Sequence, residues 1–299
     1  MDRPAIFEKL NAIAEQGGNV FAALRELPLD VVADALLEIP SQYAAARAAL
    51  PMMAADSVQD AWTGNHGHTL LFQSAAFARA VEAGFFRHTG RLLDGATMLD
   101  YGCGWGRLLR LMYKFTDPAR LYGCDPWSAS IDLCKGYKVA ANLAVCDYVP
   151  DEVPFPDVRF DLIYAFSVFT HLSEKTAISV LRALRKSLAP DGLLAMTIRP
   201  DSYWYVHNTG SAKADTDLMR RLHRENKYAF TPHHVQQGVG AVDAEGLNTY
   251  GDASFSFDYL RTHWPEWEFV GYDVSLLDPY QTIVFLKPRE TRAASQGSE

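Results

Sequence analysis

One segment constrains the fold more than any other. In Met98-Leu99-Asp100-Tyr101-Gly102-Cys103-Gly104-Trp105-Gly106-Arg107 an apolar run ends on an acid and opens into alternating glycines before a helical pattern begins. Glycine at such a turn reaches positive φ without a Cβ penalty and lets a ligand approach the backbone. The helix that follows offers unpaired N–H groups and the positive end of its dipole. Taken alone, the segment fits either a ligand-binding βα turn or a tight turn with no ligand.

The surrounding pattern decides the architecture. From Ala96 onward β-rich runs alternate with helical ones: Thr97–Tyr101 then Trp105–Lys114, Arg120–Asp125 then Ser128–Lys135, Leu143–Cys146, Phe160–Phe166 then Ser173–Leu188, and Gly192–Ile198. Alternation of this kind predicts right-handed crossovers and an α/β fold with a doubly wound, mostly parallel sheet buried on both faces. Residues 200–255, rich in aromatics and His, break the alternation, which resumes with Phe257–Trp264, Trp267–Tyr272 and Gln281–Lys287. Ahead of the sheet, residues 1–90 read as helical. Ile6, Phe7, Leu10, Ile13 and Ala14 repeat at helical spacing, Asp30 and Ser41 stand as N-caps before Val31–Ile39 and Gln42–Leu50, and a longer helix runs from Leu70 to Phe86. The expected organisation is a helical N-terminal region or lid over 1–90 and a ligand-binding domain over 91–288. Its insert, 200–255, serves as a substrate cap, and 289–299 form a disordered tail.

Composition narrows the partners. With 299 residues and 48% hydrophobic content the chain can bury a full core. Against 36 Asp+Glu stand 28 Lys+Arg, a net charge of −8, so there is no general attraction to nucleic-acid phosphates or an anionic leaflet. Neither nucleic acid nor membrane is expected as a partner. No uncharged apolar run approaches the ~18 residues a bilayer span needs, and Met1-Asp2-Arg3-Pro4 does not read as a leader. Cys103, Cys124, Cys134 and Cys146 lack CxxC or paired-His spacing, so they read as buried thiols in a reducing, cytoplasmic compartment, with no metal site. No pattern bears on oligomeric state.

Further strand ends converge with the glycine turn. The second strand ends at Asp125, followed by Pro126 and Trp127, and the third at Cys146-Asp147-Tyr148. Acceptors and rings thus reach one C-terminal sheet edge, where open α/β sheets hold ligands, and an acid at the second strand end suits ribose hydroxyls. A dinucleotide fingerprint would need glycine where Arg107 stands, and no Gly-Lys-Ser/Thr follows for a Walker loop.

Asp100-x-Gly102-x-Gly104-x-Gly106 resembles the first motif of the class I S-adenosylmethionine-dependent methyltransferases. The resemblance covers roughly 92–199 and 256–288. It extends to Asp125, to Cys146-Asp147-Tyr148, to the fourth strand Phe160-Asp161-Leu162-Ile163-Tyr164-Ala165-Phe166, and to Leu188-Ala189-Pro190-Asp191-Gly192, where Asp191 replaces a glycine of the family's L-x-P-G-G turn. It implies a seven-stranded Rossmann-like sheet and S-adenosyl-L-methionine as cofactor. Asp100 would orient the amino group, and the loop Gly102, Cys103, Gly104 and Gly106 would wrap the methionine part. Asp125 would take the ribose hydroxyls and Asp147 the adenine amine. Pro126, Trp127 or Tyr148 would pack on the ring, with Phe166 at the fourth strand end. The implied reaction is methyl transfer to oxygen or nitrogen of a small-molecule or sugar-containing acceptor.

Acceptor-side candidates are less determined. Ala165-Phe166-Ser167-Val168 carries no Asn/Asp-Pro-Pro-aromatic motif for a planar amine, and no Asp-rich constellation for a metal-dependent catechol reaction is present. A hydroxyl acceptor needs a base, and His171 is the candidate catalytic residue, with anchoring of the following helix as its alternative. Trp62, His66 and His68, in a Gly-containing loop, read as lid contacts or as loop caps. Tyr203, Trp204 and His207 read as pocket wall or insert core, and His233-His234 as surface. Two other readings compete: aminopropyl transfer, which would want an acid just after the fourth strand, and a non-catalytic cofactor-binding protein with a helical partner-docking region.

Overall fold

The computed structural model describes residues 2–206, 215–233, 246 and 248–289. Six helices precede the sheet: α1 (Arg3–Glu15), α2 (Val20–Arg25), α3 (Leu29–Leu37), α4 (Ala44–Ala49), α5 (Asp56–Thr63) and α6 (Gly67–Thr89). Then follow β1 (Met98–Tyr101), α7 (Leu109–Met112), β2 (Leu121–Asp125), α8 (Ser128–Gly136), β3 (Asn142–Val145), β4 (Phe160–Ala165), α9 (Glu174–Ser187) and β5 (Leu188–Ile198). The insert supplies α10 (Tyr203–Val206), α11 (Thr216–Asn226), β6 (Tyr228–Pro232) and β7 (Gly251–Phe255), and the chain returns through α12 (Phe257–His263), β8 (Trp267–Val274) and β9 (Thr282–Pro288).

The main sheet has seven strands in the order β3-β2-β1-β4-β5-β9-β8, and β6 and β7 form a separate antiparallel pair. Pairings from β3 through β5 are parallel, while β9 runs antiparallel to both β5 and β8. The doubly wound, mostly parallel sheet expected from the alternation is therefore the fold of this chain. Side-chain alternation of period two splits the core between the two faces. Met98, Leu162, Tyr164, Ala195 and Phe285 face a cluster that takes in α1–α4, α6 and α7, whereas Leu99, Ile163, Leu194, Met196 and Leu286 pack with α9 and α12. Because β1 pairs with β2 on one side and β4 on the other, the crossovers leave it in opposite directions and open a crevice at its C-terminal end.

Several local expectations need correction. The helix expected over Trp105–Lys114 is reduced to Leu109–Met112, because Gly102, Gly104 and Gly106 all adopt positive φ (76°, 53° and 81°) and hold the chain in turns. Helix α3 starts at Leu29 behind Pro28 rather than behind Asp30, whose carboxylate pairs with Arg79 of α6. Ser41 does not cap α4. The N–H groups of Ala45 and Ala46 donate to Asn11 Oδ1 of α1 at 3.0 and 3.1 Å, so a neighbouring helix satisfies that end. The turn read at Leu188–Gly192 is taken into β5, whose pairing shifts register between Phe160/Leu188 and Leu162/Leu193. The expected tail lies almost wholly outside the described residues. Among the described residues no helix is long and apolar enough to cross a membrane.

Candidate functional site

The ends of β1, β2 and β4 enclose a cavity of about 480 Å³. Its floor is the glycine loop, folded back by Asp125: Oδ2 accepts the Gly104 N–H at 3.0 Å and Oδ1 the Trp127 N–H at 2.9 Å. Each oxygen keeps a further lone pair for a ligand. A Cβ at Gly102 would lie 2.4 Å from Val168 Cγ2, so the loop can approach β4 only with glycine there. Gly106 differs in role: its Cβ would meet Val139 at 2.9 Å and Cys134 at 3.1 Å, which makes it a helix-packing glycine.

Of the residues named from sequence, Trp62, Asp100, Gly102, Cys103, Gly104, Asp125, Pro126, Trp127, Tyr148, Phe166 and His171 all reach this cavity. Trp62, from α5, stacks on Trp127 with ring centroids 4.8 Å apart, so the N-terminal helices supply one wall. Asp147 is exposed and lies outside the walls. Beyond Phe166, Ser167 sits at φ 60° and donates its N–H to Thr197 Oγ1 at 2.7 Å, a left-handed kink that turns the chain along the cavity edge.

Burial governs the electrostatics. Asp100 is 2% exposed, and burial pushes its carboxyl well above the usual range against the opposing pull of Arg107. Its oxygens accept no hydrogen bond among the described residues. Asp125 is also raised by burial, with the Trp127 and Gly104 N–H groups pulling the other way. Arg107 lines the same cavity, its guanidinium 4.5 Å from the Phe166 ring centroid and drawn down to about 10 by burial. In the sequence Arg107 serves only to exclude a dinucleotide, yet its place directly after the glycine loop is the signal of a cation in the cavity wall.

The opposite wall is built differently. Arg199, at the end of β5, pairs with buried Asp252 of β7 and donates to the Thr170 carbonyl at 2.8 Å and to His171 Nε2 at 3.2 Å. His171 Nδ1 donates to the Gly251 carbonyl at 2.7 Å, and His233 Nε2 lies 2.7 Å from Asp252 Oδ2. Burial, reinforced by Arg199, pushes His171 down to about 3. This corrects the reading of His171 as a base: both ring nitrogens are committed and the ring stays neutral. His233 keeps an exposed side chain, as expected, and also joins this network; His234 lies outside the described residues. Atoms of His171, His233 and Asp252 come within 4.8 Å of one another, a metal-like spacing, yet the Arg199 guanidinium already answers the Asp252 carboxylate. Tyr250 stacks on His171 at 5.0 Å and forms part of the cavity wall, its hydroxyl pushed up to about 12 by burial.

The remaining candidates fall elsewhere. His66 is exposed, bound to Asp60 at 2.9 Å and raised by that hydrogen bond, and exposed His68 lies 3.8 Å from Asp34. Neither lines the cavity. Tyr203 donates to Asp252 at 3.1 Å with Arg199 over its ring, while Trp204 is fully buried and donates to Ser254 at 2.8 Å. Both therefore build the insert's packing and network rather than the cavity lining. His207 lies outside the described residues.

Residues 98–192 match the family model described as a methyltransferase domain. A ubiquinone biosynthesis O-methyltransferase of Rhodopseudomonas palustris is 28% identical over 155 residues, 50% of this chain and 58% of that protein. A sterol 24-C-methyltransferase of Gibberella zeae is 24% identical over 235 residues, 71% of this chain and 56% of that one. The chain thus spans somewhat over half the length of these curated relatives. Among solved structures, the PH0226 protein of Pyrococcus horikoshii superposes with a TM-score of 0.50 at 13% identity, covering 72% of this chain and 90% of that one, a likeness of fold. The resemblance to class I methyltransferases read from the glycine loop is therefore met by a domain match over the first of its two stretches, 98–192.

Proposed function

We propose that this chain is an S-adenosylmethionine-dependent methyltransferase acting on a small-molecule or sugar-containing acceptor. The observation that carries the reading is the pair of buried acids, Asp100 and Asp125, on adjacent strand ends around a positive-φ glycine loop in one cavity of about 480 Å³. The residues present fit an adenosyl group with a charged amino-acid end. Asp125 has lone pairs left for ribose hydroxyls, Asp100 accepts no hydrogen bond of its own and suits an ammonium, and Pro126, Trp127 and Tyr148 offer apolar faces to a purine.

The cofactor supplies a methyl group already activated on a sulfonium. Trp62, Trp127 and Phe166 present π faces that favour a cation, and the acids add negative potential when ionised. The chain's own work is to hold the acceptor in line at ~3–3.5 Å and to exclude water, which supplies several kcal/mol through positioning. Trp62 in one wall supports the N-terminal helices as a lid, and Thr249 and Tyr250 in the other support the 200–255 insert as an acceptor cap. The names of the two curated relatives support a small-molecule acceptor.

Calorimetric titration with S-adenosylmethionine and S-adenosylhomocysteine tests the reading, with NAD as a negative ligand and Asp125→Ala as control. Micromolar binding of both adenosyl ligands is expected, reduced at least about tenfold in a folded variant. Absence of binding to either in folded wild-type protein overturns it.

A further inference from the structure

The cavity holds a half-buried cation that meets the Phe166 ring but no anion at ion-pair distance among the described residues. Arg107 makes no hydrogen bond and no ion pair among the described residues; the acids within electrostatic reach are Asp100 and Asp278, and neither stands at ion-pair distance. The two buried guanidinium groups nearby are paired by contrast, with only Arg110 Nε left over. Arg110 donates to the Trp105, Gly106 and Met52 carbonyls, and Arg199 to Asp252 and the Thr170 carbonyl. A cation withdrawn from water is costly unless paired, and the planar fork of arginine matches a carboxylate bidentately. The nearby acids are poor counter-charges, because burial pushes both Asp100 and Asp278 up toward their neutral forms. The guanidinium lies 4.5 Å from the Phe166 ring centroid and lines the cavity, where its N–H donors have no partner among the described residues.

We propose that Arg107 is the anion receptor of this cavity and pairs with a carboxylate brought by a ligand. Two sources share that chemistry: the amino-acid end of the cofactor and a carboxylate on the acceptor. The first rests on the methyltransferase reading, while the second does not depend on the cofactor's identity.

Calorimetry on wild type, Arg107→Met and Arg107→Lys separates the sources, using S-adenosylhomocysteine, which carries a carboxylate, and 5′-methylthioadenosine, which lacks the amino-acid end. A cofactor source predicts that Arg107→Met weakens the first ligand about 10- to 100-fold and leaves the second within about twofold, with partial recovery in Arg107→Lys. An acceptor source predicts unchanged nucleoside binding. In that case benzoate, but not benzamide, raises the melting temperature of the cofactor-saturated wild type and fails to do so in Arg107→Met. Equal losses for both nucleosides would make Arg107 a packing residue, and indifference of the variant to both nucleosides and benzoate would leave no receptor; either result overturns the proposal. If wild type bound neither nucleoside, the methyltransferase reading would fall, and benzoate against benzamide on the ligand-free protein would still decide the role of Arg107.

Discussion

The two walls of the cavity use charge in opposite ways. On the glycine-loop side, buried Asp100 and half-buried Arg107 have no hydrogen-bond or ion-pair partner among the described residues. On the insert side, Arg199, Asp252, His171, His233 and Tyr203 are joined to one another and to backbone carbonyls. A wall whose polar groups lack partners is incomplete without a ligand, whereas a closed network fixes shape and holds its members in set protonation states. The contrast teaches that a cluster of His and acid can be closed on itself even where it borders a cavity.

The contrast breaks most visibly through stability. Arg199→Met strands the Asp252 carboxylate and should cost about 3–5 kcal/mol in urea unfolding, with much of it regained in Arg199→Met/Asp252→Asn. A single-variant loss under ~1 kcal/mol would mean the network is not a unit. Asp100→Asn should do the reverse: the melting temperature holds or rises, because no hydrogen bond of the fold is lost and a strained buried acid is replaced by a neutral amide, while S-adenosylhomocysteine affinity falls about 10- to 100-fold. A variant that lost stability instead would place Asp100 with the closed wall.

A smaller effect is read by pH. His171 is neutral in the fold down to about 3, against an ordinary value of 6.5. As pH falls below 6.5 the unfolded chain takes up a proton that the fold refuses, so stability drops by up to about 1.4 kcal/mol per pH unit until pH approaches 3. His171→Asn should flatten that limb between pH 7 and 5, as measured by unfolding at each pH. The smallest change concerns the wall supplied by the N-terminal helices. Trp62→Ala removes the stack on Trp127, worth about 1 kcal/mol, and should alter intrinsic fluorescence while leaving the sheet intact by circular dichroism.

Legibility in the sequence follows the same division. The placement of Asp100, the glycines and Asp125 is legible because it is local: each stands at a strand end or in a turn that the backbone dictates. That of His233 and Asp252 is not, because their meaning comes from β7 pairing with β6 and reaching Arg199 across the insert, a contact no spacing along the chain encodes. The short α7 was misjudged because apolar periodicity over Trp105–Lys114 competed with three glycines, and the backbone preference won. At α4 the sequence offered Ser41, yet the tertiary contact with Asn11 settled the helix start.

Arg110 has a consequence of a different kind. Its fork grips Met52 from the N-terminal region and Trp105 and Gly106 from the loop through their carbonyls at once. Whatever tightens the loop must tighten the segment around Met52 by the same free energy, and the reciprocal holds. Hydrogen exchange near Met52 thus becomes a remote gauge of occupancy in the crevice, and severing that clasp would let the N-terminal helices open without reporting to the site.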